Sequence, residues 1–351
     1  MLDRLPLELL DHILHFAAPL DYTPDLYKER RATLRSCCLV SRTMRELAQP
    51  MLPEVFAART KKDVQMLETD GRGKQVKLLA CNGEHWIRES KDEPGWQRGT
   101  MAACPHVRDL RLFGADLNLE LLAPLSALRR LVLVDGRIGL TNAETTLSKL
   151  EELSMDATHM DSVGFGVLLR THCLPALQSL AVTGLDPNDG AAFSSAISSG
   201  FFDSVKHIVL DAYDLAQLPP SFPLPDPSRV LLTTSHFPSP EEFTLSFKPT
   251  HLALSPSATL EDVLTNSGLP DAIRSFLPVL SLHTTIRNLG VPDFLHPSRS
   301  LAGELASLRR ELLKACADNK IRVVWTADRT MWDSLVRSEF RRVLAEEAPG
   351  R

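Results

Sequence analysis

Apolar residues near the start of the chain recur at helical spacing. Leu9, Leu10, Ile13, Leu14 and Ala17 share one side, while Glu8, Asp11, His12 and His15 take the other, so the pattern predicts an amphipathic helix. Pro6 fits the first turn of that helix, where its missing N–H costs nothing, and Pro19 closes the segment. A second helical run is expected over Arg30 to Val40, with Leu34, Cys37, Cys38 and Val40 as its apolar positions. Ser41 is placed to cap a third helix, which uses Met44, Leu47 and Ala48 and stops before Pro50. Three helices spanning about fifty residues cannot enclose Leu5, Leu9, Leu10, Ile13, Leu14, Leu34, Val40, Met44 and Leu47 among themselves. Some of these side chains are expected to be covered by another surface.

Farther along, the apolar period changes to two. Val107-x-x-Leu110-x-Leu112, Leu128-x-x-Leu131-x-Leu133, Leu150-x-x-Leu153-x-Met155, Leu177-x-x-Leu180-x-Val182 and Val205-x-x-Ile208-x-Leu210 follow one template, with steps of 21, 22, 27 and 28 residues. Weaker echoes occur at Val230-x-Leu232, Leu252-x-Leu254, Leu280-x-Leu282 and Val323-x-Trp325, with Val76-x-Leu78 as an opening strand. Each predicts a strand with one buried face, and stacked rungs predict a parallel sheet on the inside of a curve.

The connections differ in kind. Leu117 to Pro124 and Ser162 to His172 have room for short helices, whereas the run from Pro219 to Pro227 is too rich in proline and is expected to be extended. Leu301, Leu305, Leu308, Leu312 and Cys316 predict a helix ending near Asp318-Asn319, followed by a last strand through Ile321, Val323 and Trp325. Trp332, Leu335, Val336, Phe340, Val343 and Leu344 predict a closing helix over the final rung.

The Leu5-Pro6 start, the apolar helical faces and the Val40-Ser41-Arg42 junction together resemble an F-box. The whole layout is similar to fungal F-box proteins with degenerate leucine-rich-like repeats. That resemblance implies docking on the Skp adaptor, and through it on a cullin-RING ligase, by Leu5, Pro6, Leu9, Leu10, Ile13, Leu34, Val40, Ser41 and Arg42. Two features depart from the family: Ala17 to Arg31 is a longer connection than usual, and Met44 stands where an aromatic is common. The asparagine or cysteine that leucine-rich repeats usually carry after each strand is also missing, since Ala115, Gly136, Thr158, Leu185, Tyr213, Ser235, Ser257 and Thr285 hold those positions.

The expected fold class is α/β: a three-helix F-box over 1–56, a helical linker over 57–75, an irregular leucine-rich-repeat-like solenoid over 76–325, and a capping helix over 326–351. With 351 residues, 44% of them hydrophobic, the chain can bury a large core. A net charge of −5 with dispersed Lys and Arg gives no footing for nucleic acid or an anionic membrane. The N-terminus lacks a signal-peptide pattern and no apolar run is long enough to span a bilayer, so cytoplasmic or nuclear location is expected. The six cysteines have neither disulfide-framework nor metal-ligand spacing.

Catalytic motifs are missing. There is no G-x-S-x-G, H-E-x-x-H, P-loop or G-x-G-x-x-G, and Gly71-Arg72-Gly73-Lys74 reads as a turn. His12 and His15 lack a third ligand, and Cys37-Cys38 reads as packing. No catalytic residue, cofactor or metal is expected.

Residues flanking the buried pair of each strand are expected on the concave side as a surface for an unknown protein target: Arg111, Phe113, Arg130, Val132, Val134, Glu152, Asp156, His207, Val209 and Asp211. The sequence thus predicts a non-enzymatic substrate receptor of a Skp-cullin-F-box ubiquitin ligase. The alternative is a leucine-rich interaction scaffold, or an F-box protein acting outside a cullin ligase.

Overall fold

A computed structural model describes residues 5–18, 24–69, 71–82, 95–114, 116–139, 146–156, 159–160, 168, 173–184, 200–203, 205–211, 226, 230–234, 240, 248–254, 269–301 and 303–326. The chain divides into two compact units, Met1–Leu177 and Gln178–Arg351. The main strands number eleven, five in the first unit and six in the second, and seven α-helices occur among the described residues.

The first unit opens with α1 (Leu7–Ala17), α2 (Pro24–Val40) and α3 (Arg42–Ala48). Pro6 lies just outside α1 rather than in its first turn, and its carbonyl accepts from the Leu9 and Leu10 N–H groups at 3.1 Å. Helix α2 begins at Pro24, six residues ahead of the expected Arg30, so part of the long connection is itself helical. Ser41 caps α3 as expected, its hydroxyl accepting from the Met44 N–H at 3.2 Å. Leu10, Leu14, Ala18, Leu34, Met44, Ala48 and Met51 form the core among these helices.

After them come β1 (Val55–Ala58), α4 (Lys61–Thr69), β2 (Leu78–Asn82), α5 (Gly95–Ala103), β3 (Asp109–Phe113), β4 (Asp116–Asn118), β5 (Arg130–Val134), β6 (Arg137–Gly139), β7 (Glu152–Asp156) and β8 (His159–Met160). The long strands pair in parallel in the order β1-β2-β3-β5-β7, and the short ones form a second parallel sheet, β4-β6-β8. Register lines up Leu79, Leu110, Leu131 and Leu153 in one row and Cys81, Leu112, Leu133 and Met155 in the next. All eight are buried, which accounts for the repeated leucine template.

Strands β2, β3, β5 and β7 are each entered by the same device. The N–H groups of Val76, Val107, Leu128 and Leu150 donate to the carbonyls of Gly73, Cys104, Leu125 and Leu147, closing a tight turn. The next two N–H groups then share one carbonyl of the preceding rung: Arg108 and Asp109 donate to Lys77 O, Arg129 and Arg130 to Arg108 O, and Glu151 and Glu152 to Arg129 O. This ladder of turns satisfies the backbone at the entry to these strands. Gly73 is obligatory in the first turn, since a Cβ there would lie 2.3 Å from the Ala103 carbonyl oxygen.

The second unit holds β9 (Ser179–Thr183), β10 (His207–Asp211), β11 (Val230–Thr234), β12 (His251–Leu254), α6 (Leu269–Leu282), β13 (Asn288–Pro292), α7 (Gly303–Asp318) and β14 (Arg322–Thr326). Its six strands pair in parallel in chain order, with α6 and α7 as crossovers before β13 and β14. The predicted helix and last strand near the end of the array are α7 and β14, and Leu308, Leu312 and Cys316 face inward. Each unit is therefore a solenoid-like α/β ladder.

Two expectations about rungs are corrected. Leu280-x-Leu282 ends α6 and is not a strand; the rung lies at Leu289-x-Val291 in β13. The opening strand is β1, which runs across the expected boundary at residue 56. The connection from Leu117 to Pro124 does hold a short helix, a 3-10 helix at Leu119–Leu122, directly after strand β4. The runs 162–172, apart from Leu168, and 219–227, apart from Asp226, lie outside the described residues, as does the expected capping helix beyond Thr326.

Candidate functional site

The apolar arc of α1 is wider than the neighbouring helices can cover. Leu10, Leu14 and Ala18 succeed one another at intervals of four and turn into the core. Their neighbours do not: Leu9 is 52% exposed, Ile13 48% and Phe16 88%. Leu5 and Leu7 are exposed ahead of them, and at the end of α2 Leu39 and Val40 are 81% and 57% exposed. Seven of the eight large apolar side chains found exposed among the described residues thus fall within these two helices and at Leu5 just ahead of them. Scattered single apolar residues are ordinary on a surface, whereas most of those exposed here are gathered on two helices.

The expected adaptor contacts separate accordingly. Leu5, Pro6, Leu9, Ile13 and Val40 are exposed. Leu10 and Leu34 are fully buried in the helical core, each being the inward member of its turn. Ser41 is committed to its cap, and Arg42 is exposed and pairs with Glu46 at 2.9 Å. Leu7, Phe16 and Leu39 belong to the exposed face but escape the stripe rule. Phe16 lies three residues after Ile13 on the helix, which is the signal that would have found it.

Buried charge fastens this helical face to the sheet. The Arg30 guanidinium donates to Ala18 O, to Met51 O at 3.1 Å and to Glu54 Oε2 at 3.0 Å. Glu54 Oε1 also pairs with Lys77, while its backbone carbonyl accepts from the Lys77 and Leu78 N–H groups. Burial pulls the Arg30 pKa down, and the Glu54 carboxylate opposes that pull. One helical turn earlier, Tyr27 packs on the sheet cluster of Val55, Leu78 and Ala80, with Arg31 stacked over its ring.

The expected target face is largely closed. Register aligns Asp109, Arg130 and Glu152 in one row and Arg111, Val132 and Ser154 in the next. Arg130 bridges Asp109 at 3.6 Å and Glu152 at 3.4 Å, and Arg111 is buried with both Nε and Nη2 on the Asp109 carboxylate. Val132 is buried as well. Phe113 is half-buried against the Val55 cluster, and Val134, Glu152 and Asp156 are half-buried at the strand ends.

In the second unit Val209 is buried in an apolar cluster with Ala181, Leu231, Ala253 and Val324 on this same strand side. Asp211 is buried and His207 half-buried. Arg111, Val132, Val209 and Asp211 are therefore not solvent-facing. Parallel strands are commonly covered on both faces, and period-two patterning cannot tell a second buried face from an open one when the residues there are small or paired charges.

All six cysteines are free thiols. Burial pushes Cys104 up to about 12 and Cys316 to about 11, and Cys81 beyond them, while Cys37 is raised by burial and by Cys38 beside it. No group of three or more metal-binding side chains occurs among the described residues, and no helix among them is long and apolar enough to cross a membrane. The chain matches no protein-family model, and no curated protein is significantly similar to it.

Proposed function

We propose that this chain is the substrate-receptor subunit of a Skp-cullin-F-box ubiquitin ligase, acting in the cytosol or nucleus, with its N-terminal helices docked on the Skp adaptor. The observation that carries the reading is the exposed row of Leu5, Leu9, Ile13 and Phe16, with Leu39 and Val40, beside a helical core that is already complete. Covering a large aliphatic side chain is worth roughly 1.5–3 kcal/mol. Four or five of them offset an association cost of roughly 4–15 kcal/mol.

The role in ubiquitin transfer is proximity. The receptor holds an unknown protein target near the charged conjugating enzyme and raises its effective concentration there, while the chemistry proceeds on other subunits. The Arg30–Glu54–Lys77 cluster supports this by fixing the docking helices to the first strands of the repeat unit.

Capture of adaptor and cullin from cells, compared between the wild-type chain and one with Leu5, Pro6 and Ile13 replaced, tests the reading. Both proteins are expected with the wild type and neither with the variant. Adaptor without cullin would point to an F-box protein outside the ligase. Neither protein in either lane would leave an interaction scaffold.

A further inference from the structure

In the second unit, the turn between β13 and α7 carries a serine hydroxyl already set against a base. The chain leaves β13 at Pro292 and bends through His296-Pro297-Ser298-Arg299 before α7 begins at Gly303. Main chain closes the bend, the Arg299 N–H donating to His296 O at 2.9 Å. Pro297 holds the second position of this turn, where its fixed φ is already that of the bend. The Ser298 side chain is therefore not needed to close the turn, yet its Oγ lies 2.7 Å from His296 Nδ1.

The tautomer follows from the backbone. The Ser298 N–H donates to the same Nδ1 at 3.2 Å, so this nitrogen is an acceptor and the ring proton belongs to Nε2. The hydroxyl then also donates to Nδ1, which leaves the lone pairs of Oγ to solvent on an exposed residue. The imidazole is itself held in place, packed edge-on against Trp325 of β14 with ring centroids 4.8 Å apart and planes at 75°.

A cation brackets the same serine. From α7, Arg309 Nη1 donates to His296 O at 3.2 Å and to Arg299 O at 3.0 Å, the carbonyls two residues before Ser298 and one after it. These acceptors are neutral, and among the described residues no carboxylate pairs with Arg309. The acids on α7 are engaged elsewhere, Glu304 with Arg274 and Glu311 as acceptor from the Ser307 hydroxyl at 3.2 Å. One nitrogen of the guanidinium serves the turn, and the others keep the fork that suits phosphate oxygens.

We propose that Ser298 is a phosphorylation site, whose phosphate is held by Arg309 and His296 and ties the turn to α7 and β14. In the transfer, Ser298 Oγ attacks the γ-phosphorus of a nucleoside triphosphate carried by a protein kinase. The Oγ–P bond forms, the bond from that phosphorus to the bridging oxygen breaks, the nucleoside diphosphate leaves, and the hydroxyl proton passes to His296 Nδ1. The imidazolium and the Arg309 guanidinium then face a group of about −1.5 to −2 charge. The site lies in the second unit and does not depend on the adaptor reading.

The test has two arms. Mass spectrometry of the chain isolated from its own cells, with phosphatases inhibited, is expected to find phosphate on the tryptic peptide 288–299, in which Ser298 is the sole hydroxyl side chain. In the second arm, phosphoserine is encoded in the full chain at position 298 or, as a control, at the exposed Ser300, and phosphorus NMR follows its second ionisation, ordinarily near about pH 6. The midpoint at 298 is expected at least about 0.5 pH unit below that at 300, because the guanidinium favours the dianion. Arg309→Gln should abolish the difference and Arg309→Lys keep part of it. Circular dichroism checks that each variant is folded, and if Arg309→Gln is not, the comparison of 298 with 300 in the unaltered chain decides. The proposal is overturned if peptide 288–299 from cells carries no phosphate, if the two midpoints are equal, or if a folded Arg309→Gln leaves the lowered midpoint unchanged.

Discussion

Arg30 and Glu54, 24 residues apart in the chain, meet with Nη2 and Oε2 at 3.0 Å, and both side chains are buried. Through this pair the second helix is held to the residue just ahead of β1. Removing one partner of a buried pair strands the other charge, which costs about 3–5 kcal/mol. Glu54→Ala is therefore expected to lower stability by that amount in chemical denaturation. Lys77→Ala removes the half-exposed partner and should cost less than about 1 kcal/mol.

The two rows of α1 predict opposite responses. Leu10→Ala or Leu14→Ala opens a cavity in the helical core and should cost about 2–5 kcal/mol. Leu9→Ala and Ile13→Ala lie on the exposed row and should change stability by no more than about 0.5 kcal/mol. Thermal unfolding of the four variants decides whether the stripe is divided in this way.

On the sheet, Arg130 stands between Asp109 and Glu152, which face each other across it in register. Arg130→Met should cost about 1–3 kcal/mol, because two partly buried carboxylates lose a charged donor. Arg130→Lys keeps the charge without the fork and should fall between the wild type and Arg130→Met. Denaturation midpoints of the two variants check this order.

The thiols give a pH dependence of known sign. Cys104 and Cys316 are held protonated, with values raised from 9.0 to about 12 and about 11, so the unfolded chain releases these protons first. Stability from this source is intact below about pH 9 and falls as pH rises toward 11–12. Thiol labelling of the native chain at pH 8 should spare Cys81, Cys104 and Cys316, all buried, and modify Cys37 and Cys38 first, as they are only partly covered.

Much of the frame was legible because burial and spacing coincide. Leu308, Leu312 and Cys316 repeat at helical intervals and are the inward residues of α7, and the leucine template marks β3, β5, β7, β9 and β10. Leu280-x-Leu282 misleads because a pair two apart also occurs within a helix, here one that contains Pro278. Strand β13 escapes the template because Gly290 and Pro292 weaken its strand character, and β1 because Ala57 and Ala58 are small and apolar. Nor could spacing reveal that Arg30, inside the run Glu29-Arg30-Arg31, is the buried one. That depends on Ala18, Met51 and Glu54 converging from distant positions.

The central claim is that the exposed face of α1 is an adaptor-docking surface. Calorimetric titration of the purified chain with purified Skp adaptor tests it most directly. The account predicts saturable binding by the wild type, weakened about a hundredfold, or about 2.8 kcal/mol, by Ile13→Asp, with Lys149→Glu binding as the wild type does. No heat of binding from the folded wild type, or equal affinity for Ile13→Asp, would contradict it.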